Sequence, residues 1–150
     1  MNRVARIAGY LTLILIAGCK TKMPQVTGKW HGNRQLTANV RTAISSKLRT
    51  ENVPVYLILV LTQTEEAIHG DAAITAATNK AIHIPIQTGV LQPDGQLSLE
   101  GDATFGMAHA HLSFGGRFDP GKIAGTLDIA LDNVTGTADN RGPITLTPSN

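Results

Sequence analysis

Hydrophobic and polar residues alternate with a period of two along most of the chain after Gln25. Such alternation is typical of β-strands with one buried face, because successive side chains of a strand point to opposite sides of the sheet. Turn sequences such as Gln92-Pro93-Asp94-Gly95 and Asp119-Pro120-Gly121-Lys122 separate the alternating stretches. The pattern predicts eight strands at Thr27–Leu36, Val55–Thr64, Ala67–Ala76, Ala81–Leu91, Gln96–Thr104, Met107–Phe118, Lys122–Leu131 and Pro143–Thr147.

One stretch departs from this alternation. Val40, Ile44 and Leu48 recur at every fourth position within Thr37–Arg49, which predicts a short amphipathic helix in the first connection. Eight successive strands joined by short turns favour barrel closure, because closure removes the exposed strand edges. We therefore expect an all-β fold, an eight-stranded up-and-down antiparallel barrel with one short helix.

The apolar faces of neighbouring strands agree with this arrangement. Two-residue turns at Pro120-Gly121 and Pro93-Asp94 would bring the apolar face of one strand beside that of the next. The pairs that these two turns predict are Phe118 with Ile123 and Val90 with Leu97.

The first 19 residues follow a different pattern. Arg3 and Arg6 precede an apolar run over Ile7–Ile16, which is too short for a comfortable transmembrane helix. The run ends in Ile16-Ala17-Gly18-Cys19, which contains the single cysteine of the chain. This stretch resembles the signal peptide and lipobox of bacterial lipoprotein precursors, with Ile in place of the more common Leu.

The resemblance implies cleavage before Cys19 and acylation of its thiol and of the new amine. Residues 1–18 are then the signal peptide, residues 19–25 an acylated tether and residues 26–150 the barrel domain. Two or three acyl chains anchor a protein stably to a membrane, whereas one chain is marginal. Lys20 follows the cysteine, in place of the Asp that retains many such proteins in the inner membrane. We expect a lipid-anchored protein of the bacterial cell envelope, on the outer membrane and facing the periplasm.

The charge of the chain is low overall and uneven along its length. Lys and Arg number 13 against 11 Asp and Glu, which argues against a nucleic-acid partner. Seven basic residues and no acidic residue lie between Cys19 and Arg49. Beside a lipid anchor, such a segment would either lie on anionic head groups or simply be solvated.

Gly28-Lys29-Trp30 begins the first predicted strand. This segment resembles the Gly-x-Trp opening strand of lipocalin-like (calycin) barrels, in which the Trp closes one end of the barrel. The glycine-containing strands that follow agree with small bacterial lipoproteins of this kind. Trp30 is then either a core aromatic or a ligand contact.

Two histidines are the only candidates for metal chemistry. His109 and His111 lie on one face of a predicted strand, a spacing that suits zinc or copper when a further ligand is near. A turn at Phe105-Gly106 would bring Asp102 opposite His109. The same turn would bring Glu100 opposite His111. The four side chains would form either a surface metal site or ordinary cross-strand polar contacts.

The strand Val55–Thr64 is apolar on both faces, which normally means that both are covered. Tyr56, Ile58 and Val60 occupy its outer face. The helix predicted over Thr37–Arg49 would cover them. Without that cover they would form an exposed patch for a partner protein or for the membrane.

These observations lead to two main functional hypotheses. The first is a non-catalytic binding module for an apolar small ligand or an envelope protein, with Trp30, Tyr56, Ile58 and Val60 as contacts. The second is a structural or assembly lipoprotein that docks through a surface patch without a ligand. Metal handling through His109 and His111 is a third. No hydrolase, phosphate-loop or zinc-protease motif occurs, so we expect neither an enzyme nor a cofactor. Room for a ligand is suggested by small residues on the inward faces, namely Gly70, Ala72, Gly101, Ala103, Ala108, Ala110 and Gly125.

Overall fold

The computed structural model describes residues 22–42, 45–75, 80–133 and 136–150. These residues form a closed barrel in which every strand is antiparallel to its neighbours in sequence and the last strand pairs with the first. The predicted all-β, eight-stranded up-and-down antiparallel barrel is therefore confirmed. Its strands are β1 (Gly28–Thr42), β2 (Ser45–Thr64), β3 (Ala67–Thr75), β4 (Ala81–Leu91), β5 (Gln96–Phe105), β6 (Ala108–Asp119), β7 (Lys122–Asn133) and β8 (Gly136–Pro148).

The helix predicted over Thr37–Arg49 is not found in the described residues. Residues 37–42 continue β1, and residues 45–49 begin β2. Positions four apart share a face in a strand as well as in a helix, so the apolar spacing fits both structures equally well. Nowhere in the part of the chain that the structure describes is there a helix long and apolar enough to cross a membrane. The cross-strand pairs of this first hairpin include Asn39 with Thr50 and Val40 with Arg49.

Aliphatic side chains from all eight strands fill the barrel. Buried and exposed residues alternate along β5 from Gln96 to Gly101, as the period of two predicts. Burying such side chains is the main favourable term in folding, at about 25 cal/mol per Å² of apolar surface. The largest fully buried side chains are Phe114, Leu57, Leu59, Leu61, Ile68, Ile74, Ile84, Leu91, Leu97, Leu99, Leu112 and Ile123.

Two of the small inward-facing residues, Gly101 and Gly125, are tightly packed by their neighbours. A Cβ atom on Gly125 would lie 2.8 Å from Cζ of Phe114, and one on Gly101 would lie 3.0 Å from the Ile84 side chain. Both distances are shorter than ordinary carbon contacts of about 3.5–4.0 Å. These two glycines therefore allow a ring and a neighbouring strand to pack closely.

The register of the β6–β7 hairpin is as predicted, and that of the β4–β5 hairpin is not. Phe118 lies opposite Ile123. Val90 pairs with Ser98 instead of Leu97, because the turn contains three residues, 93–95, where two were predicted, and the register irregularity at residues 86–88 takes up the extra residue. One extra residue in a strand exchanges its inner and outer faces. Val90 consequently points outward and is 37% exposed.

Strands β1 and β8 close the barrel along a seam whose register is irregular between His31 and Asn39. Arg34 lies within this stretch of β1 and bridges to the two strands beyond the seam. Its Nη1 donates to the carbonyl oxygens of Leu127, at 2.9 Å, and of Gly142, at 3.0 Å. Burial lowers the pKa of the Arg34 guanidinium, and the negative charge of Asp128 partly opposes that shift. Among the described residues, the β1–β8 pairs are Trp30 with Pro148, His31 with Thr147, Asn39 with Thr137 and Val40 with Gly136.

Candidate functional site

The segment before β1 is fixed against one end of the barrel. Val26 is fully buried, and its backbone nitrogen donates to Oε1 of Gln63 at 2.9 Å. The Gln63 side-chain amide in turn donates to the carbonyl oxygen of Pro24, also at 2.9 Å. The predicted signal peptide and the acylation site Cys19 lie outside the described residues. The first described residue, Lys22, is three positions after Cys19.

Trp30 lies inside the barrel at the same end. Its side chain is 5% exposed, and its indole nitrogen donates to the carbonyl oxygen of Val26 at 2.9 Å. The Phe118 ring lies edge-on to the indole, with centroids 5.8 Å apart and an angle of 88° between the planes. Such an edge-to-face pair adds about 0.5–1.5 kcal/mol to the burial of the two rings. Trp30 is thus a core residue.

The predicted contact set Trp30, Tyr56, Ile58 and Val60 does not form one site. Trp30 is inside the barrel, whereas the other three lie on its outer wall, on β2. Tyr56 is 42% exposed, Val60 is 49% exposed and Ile58 between them is half-buried. We refer to Tyr56, Ile58 and Val60 as the β2 stripe.

The surroundings of the β2 stripe are mostly polar and carry charges of both signs. Lys29 on β1 and Asp71 on β3 flank Val60 on its two sides. Oδ2 of Asp71 lies 2.7 Å from Nδ1 of His83, on the next strand. The His31 ring lies 6.1 Å from the Tyr56 ring, and its Nδ1 is buried without a hydrogen-bond partner. The stripe is therefore an apolar centre with a polar border.

The His109 and His111 rings face partners that differ from the predicted ones. Nδ1 of His111 lies 2.7 Å from Oδ1 of Asp102, and Nδ1 of His109 lies 3.2 Å from Oγ1 of Thr104. The predicted pairs of Asp102 with His109 and of Glu100 with His111 are therefore wrong.

The reason is the position of the β5–β6 turn. Phe105 pairs with Ala108, so the turn residues are Gly106 and Met107 instead of Phe105 and Gly106. Gly106 has a φ of 62°, in the left-handed region that favours glycine. This shift moves every pair by two positions and places Glu100 opposite Ser113. Among the described residues, no group of three or more His, Cys, Asp or Glu side chains is placed to hold a metal ion.

A further concavity lies at the Trp30 end of the barrel. It has a volume of about 540 Å³ and is lined by residues 22–25, 93–95 and 117–120. We refer to it as the turn cleft. The sequence predicts the two turns that line it, but it does not predict that residues 22–25 pack beside them.

Comparison with known proteins does not assign the chain. No protein-family model and no curated protein sequence matches it.

Proposed function

We propose that this protein is a lipid-anchored, non-catalytic docking module of the bacterial cell envelope. Acyl chains on Cys19 would hold it in the outer membrane, facing the periplasm, and the β2 stripe would contact another envelope protein. The observation that carries the proposal is the exposure of Tyr56 and Val60 on the outer wall, with the half-buried Ile58 between them.

The composition of the stripe supports a protein partner. Protein interfaces have an apolar centre enriched in aromatic residues, surrounded by a polar rim. Tyr56 supplies an aromatic side chain with a hydroxyl group, which is a common interface anchor. An anionic bilayer surface is bound by clusters of Lys and Arg, whereas here Lys29 is balanced by Asp71 across Val60.

The close packing around the inward-facing glycines favours docking over an apolar ligand in the barrel. The expectation of internal room rests on small inward residues. At Gly125 and Gly101, the space that a side chain would occupy is already taken by Phe114 and Ile84. The exposed stripe needs no comparable assumption, since its apolar atoms already face solvent.

The proposed tether would hold the stripe close to the membrane. Lys22 lies three positions after Cys19, and an extended chain of three residue steps spans about 10 Å. The Trp30 end of the barrel would consequently lie near the bilayer surface. Val60 pairs with Lys29, the second residue of β1, so the stripe begins near that end. Anchoring both partners to one membrane raises their effective concentration, so a modest contact area would suffice.

Site-specific photo-crosslinking in cells tests this proposal. A photoreactive residue at Tyr56 should give one crosslinked product of defined mass. The same residue at Thr145, an exposed position on β8, is the matched control and should not give that product. Adding Val60→Asp to the Tyr56 crosslinking chain should abolish the product. A product that forms equally at Thr145, or that persists with Val60→Asp, would contradict docking through the stripe.

A further inference from the structure

The turn cleft is a shallow concavity that is largely open to solvent, and Phe118 is the aromatic residue among those that line it. Phe118 is half-buried, and its ring lies edge-to-face with the buried Trp30 indole inside the barrel. The backbone nitrogen of Phe118 donates to the carbonyl oxygen of Gly95 at 2.8 Å, which ties the β4–β5 turn to β6. The β4–β5 turn is closed by a 2.9 Å bond from the Gly95 nitrogen to the Gln92 carbonyl oxygen. These bonds fix two walls of the cleft without a ligand.

Charges of both signs line the cleft. Lys22 and Arg117 supply two cations, and Asp94 and Asp119 supply two carboxylates. Arg117 and Asp119 are only loosely paired, with Nε and Oδ1 3.7 Å apart, and both side chains are largely exposed. The two carboxylates would repel a simple anion, and the two basic groups would repel a simple cation. A ligand that carries one charge of each sign has an oppositely charged partner for both in the cleft.

The position of the cleft narrows the class of ligand. Lys22 lines the cleft and lies three residues after Cys19, so the proposed acyl anchor would hold the cleft at the head-group level of the bilayer. The cleft has a volume of about 540 Å³ and is largely open to solvent. The ligands concentrated at that level are phospholipids.

We propose that the turn cleft binds the head group of a phospholipid of the phosphoethanolamine class. The phosphate would accept hydrogen bonds from Lys22 and Arg117, and the primary ammonium would donate to Asp94 and Asp119. The glycerol and first acyl carbons would contact the Phe118 ring. The inference rests on the proposed lipid anchor for the position of the cleft, but its chemistry is tested separately.

The test uses the purified mature protein in neutral detergent and short-chain phospholipids as probes. Trp30 is the only tryptophan, and its indole packs against the ring of Phe118, a residue that lines the cleft. Its fluorescence therefore reports whether a ligand occupies the cleft. Dihexanoyl phosphatidylethanolamine should bind about tenfold more tightly than the phosphatidylcholine and phosphatidylglycerol analogues. Competition by free phosphoethanolamine would show that the head group suffices, whereas competition by the lipid alone would show that the acyl contact is also needed. Either result supports the site, and equal affinity for all three lipids overturns it.

Two conservative variants locate the site. Arg117→Met removes a cation, and Asp94→Asn removes a carboxylate while keeping the oxygen that accepts from the Gln96 nitrogen at 3.0 Å. Each should weaken phosphatidylethanolamine binding by about tenfold. Arg141→Met, an exposed cation outside the cleft, is the matched control and should bind as the unmodified protein does. Unchanged binding by both cleft variants would overturn the proposal, whereas loss of membrane fractionation or of the Tyr56 crosslink concerns only the proposed function.

Discussion

The guanidinium group of Arg34 lies against Gly142 across the β1–β8 seam. A Cβ atom on Gly142 would overlap the guanidinium, so the glycine leaves the space that the arginine occupies. Arg34 shares a face of β1 with the buried Gly32 and Leu36, and it donates to carbonyl oxygens on β7 and β8. One side chain thus links the first strand of the barrel to the last two.

Replacing Arg34 with Met should weaken the barrel. The change keeps most of the side-chain volume but removes the donors to the Leu127 and Gly142 carbonyl oxygens. A hydrogen bond to a charged group contributes about 1.5–3 kcal/mol, so we expect the free energy of unfolding to fall by about 2–3 kcal/mol. Chemical denaturation followed by circular dichroism measures this. Arg117→Met, at an exposed arginine, should change it by less than about 0.5 kcal/mol. Equal effects at the two positions would contradict a bridging role for Arg34.

Trp30→Ala should lower the free energy of unfolding by about 3–5 kcal/mol, the range for a large buried aromatic. The variant loses the burial of the indole, its edge-to-face contact with Phe118 and its hydrogen bond to the Val26 carbonyl oxygen. Trp30→Phe keeps an aromatic ring and should lower the free energy of unfolding by less. Circular dichroism is the suitable readout, because the variants contain no tryptophan. A loss below about 1 kcal/mol for Trp30→Ala would show that the indole does not close the barrel.

The sequence predicts the fold well where alternation is uninterrupted. Strands β6 and β7 alternate throughout and are joined by a Pro-Gly turn, so the pairing of Phe118 with Ile123 follows directly. In β4 the irregularity at residues 86–88 reverses the faces. Val90 and Leu91 are both apolar, so either could have been the inward residue, and only pairing with β5 selects Leu91.

The candidate site could be predicted only in part, for related reasons. The apolar face of Tyr56, Ile58 and Val60 is evident from the sequence. Whether this face is shielded from solvent depends on whether residues 37–49 form a helix that packs over it or continue the strands. A spacing of four residues satisfies both structures, and pairing with β2 decides in favour of a strand. Contacts such as that of Arg34 with Gly142 join residues far apart in the chain, and no local sequence pattern predicts them.

Cys19→Ser should release the protein from the membrane fraction. Acylation requires the thiol, and Cys19 is the only cysteine. Cells that express the variant should accumulate uncleaved or soluble protein, whereas the unmodified chain should sediment with outer-membrane vesicles and partition into detergent. Mass spectrometry of the N-terminal peptide from the protein with Cys19 intact should show acyl chains on residue 19. A variant that still fractionates with membranes after a salt wash would exclude the lipid anchor at this position.

Two neighbouring substitutions on β2 should have opposite effects, because Leu59 and Val60 point to opposite sides of the barrel wall. Leu59 is 1% exposed and Val60 is 49% exposed. Leu59→Asp would bury a carboxylate among aliphatic side chains without a partner, which costs more than the 2–5 kcal/mol typical of cutting Leu to Ala, and the domain should unfold. Val60→Asp places its carboxylate in solvent between Lys29 and Asp71, so the free energy of unfolding should change by less than about 1 kcal/mol. Thermal unfolding of the two variants, followed by circular dichroism, measures the difference. A Val60→Asp protein that unfolds as readily as Leu59→Asp would show that the outer wall is covered, and the β2 stripe could then not serve as a docking surface.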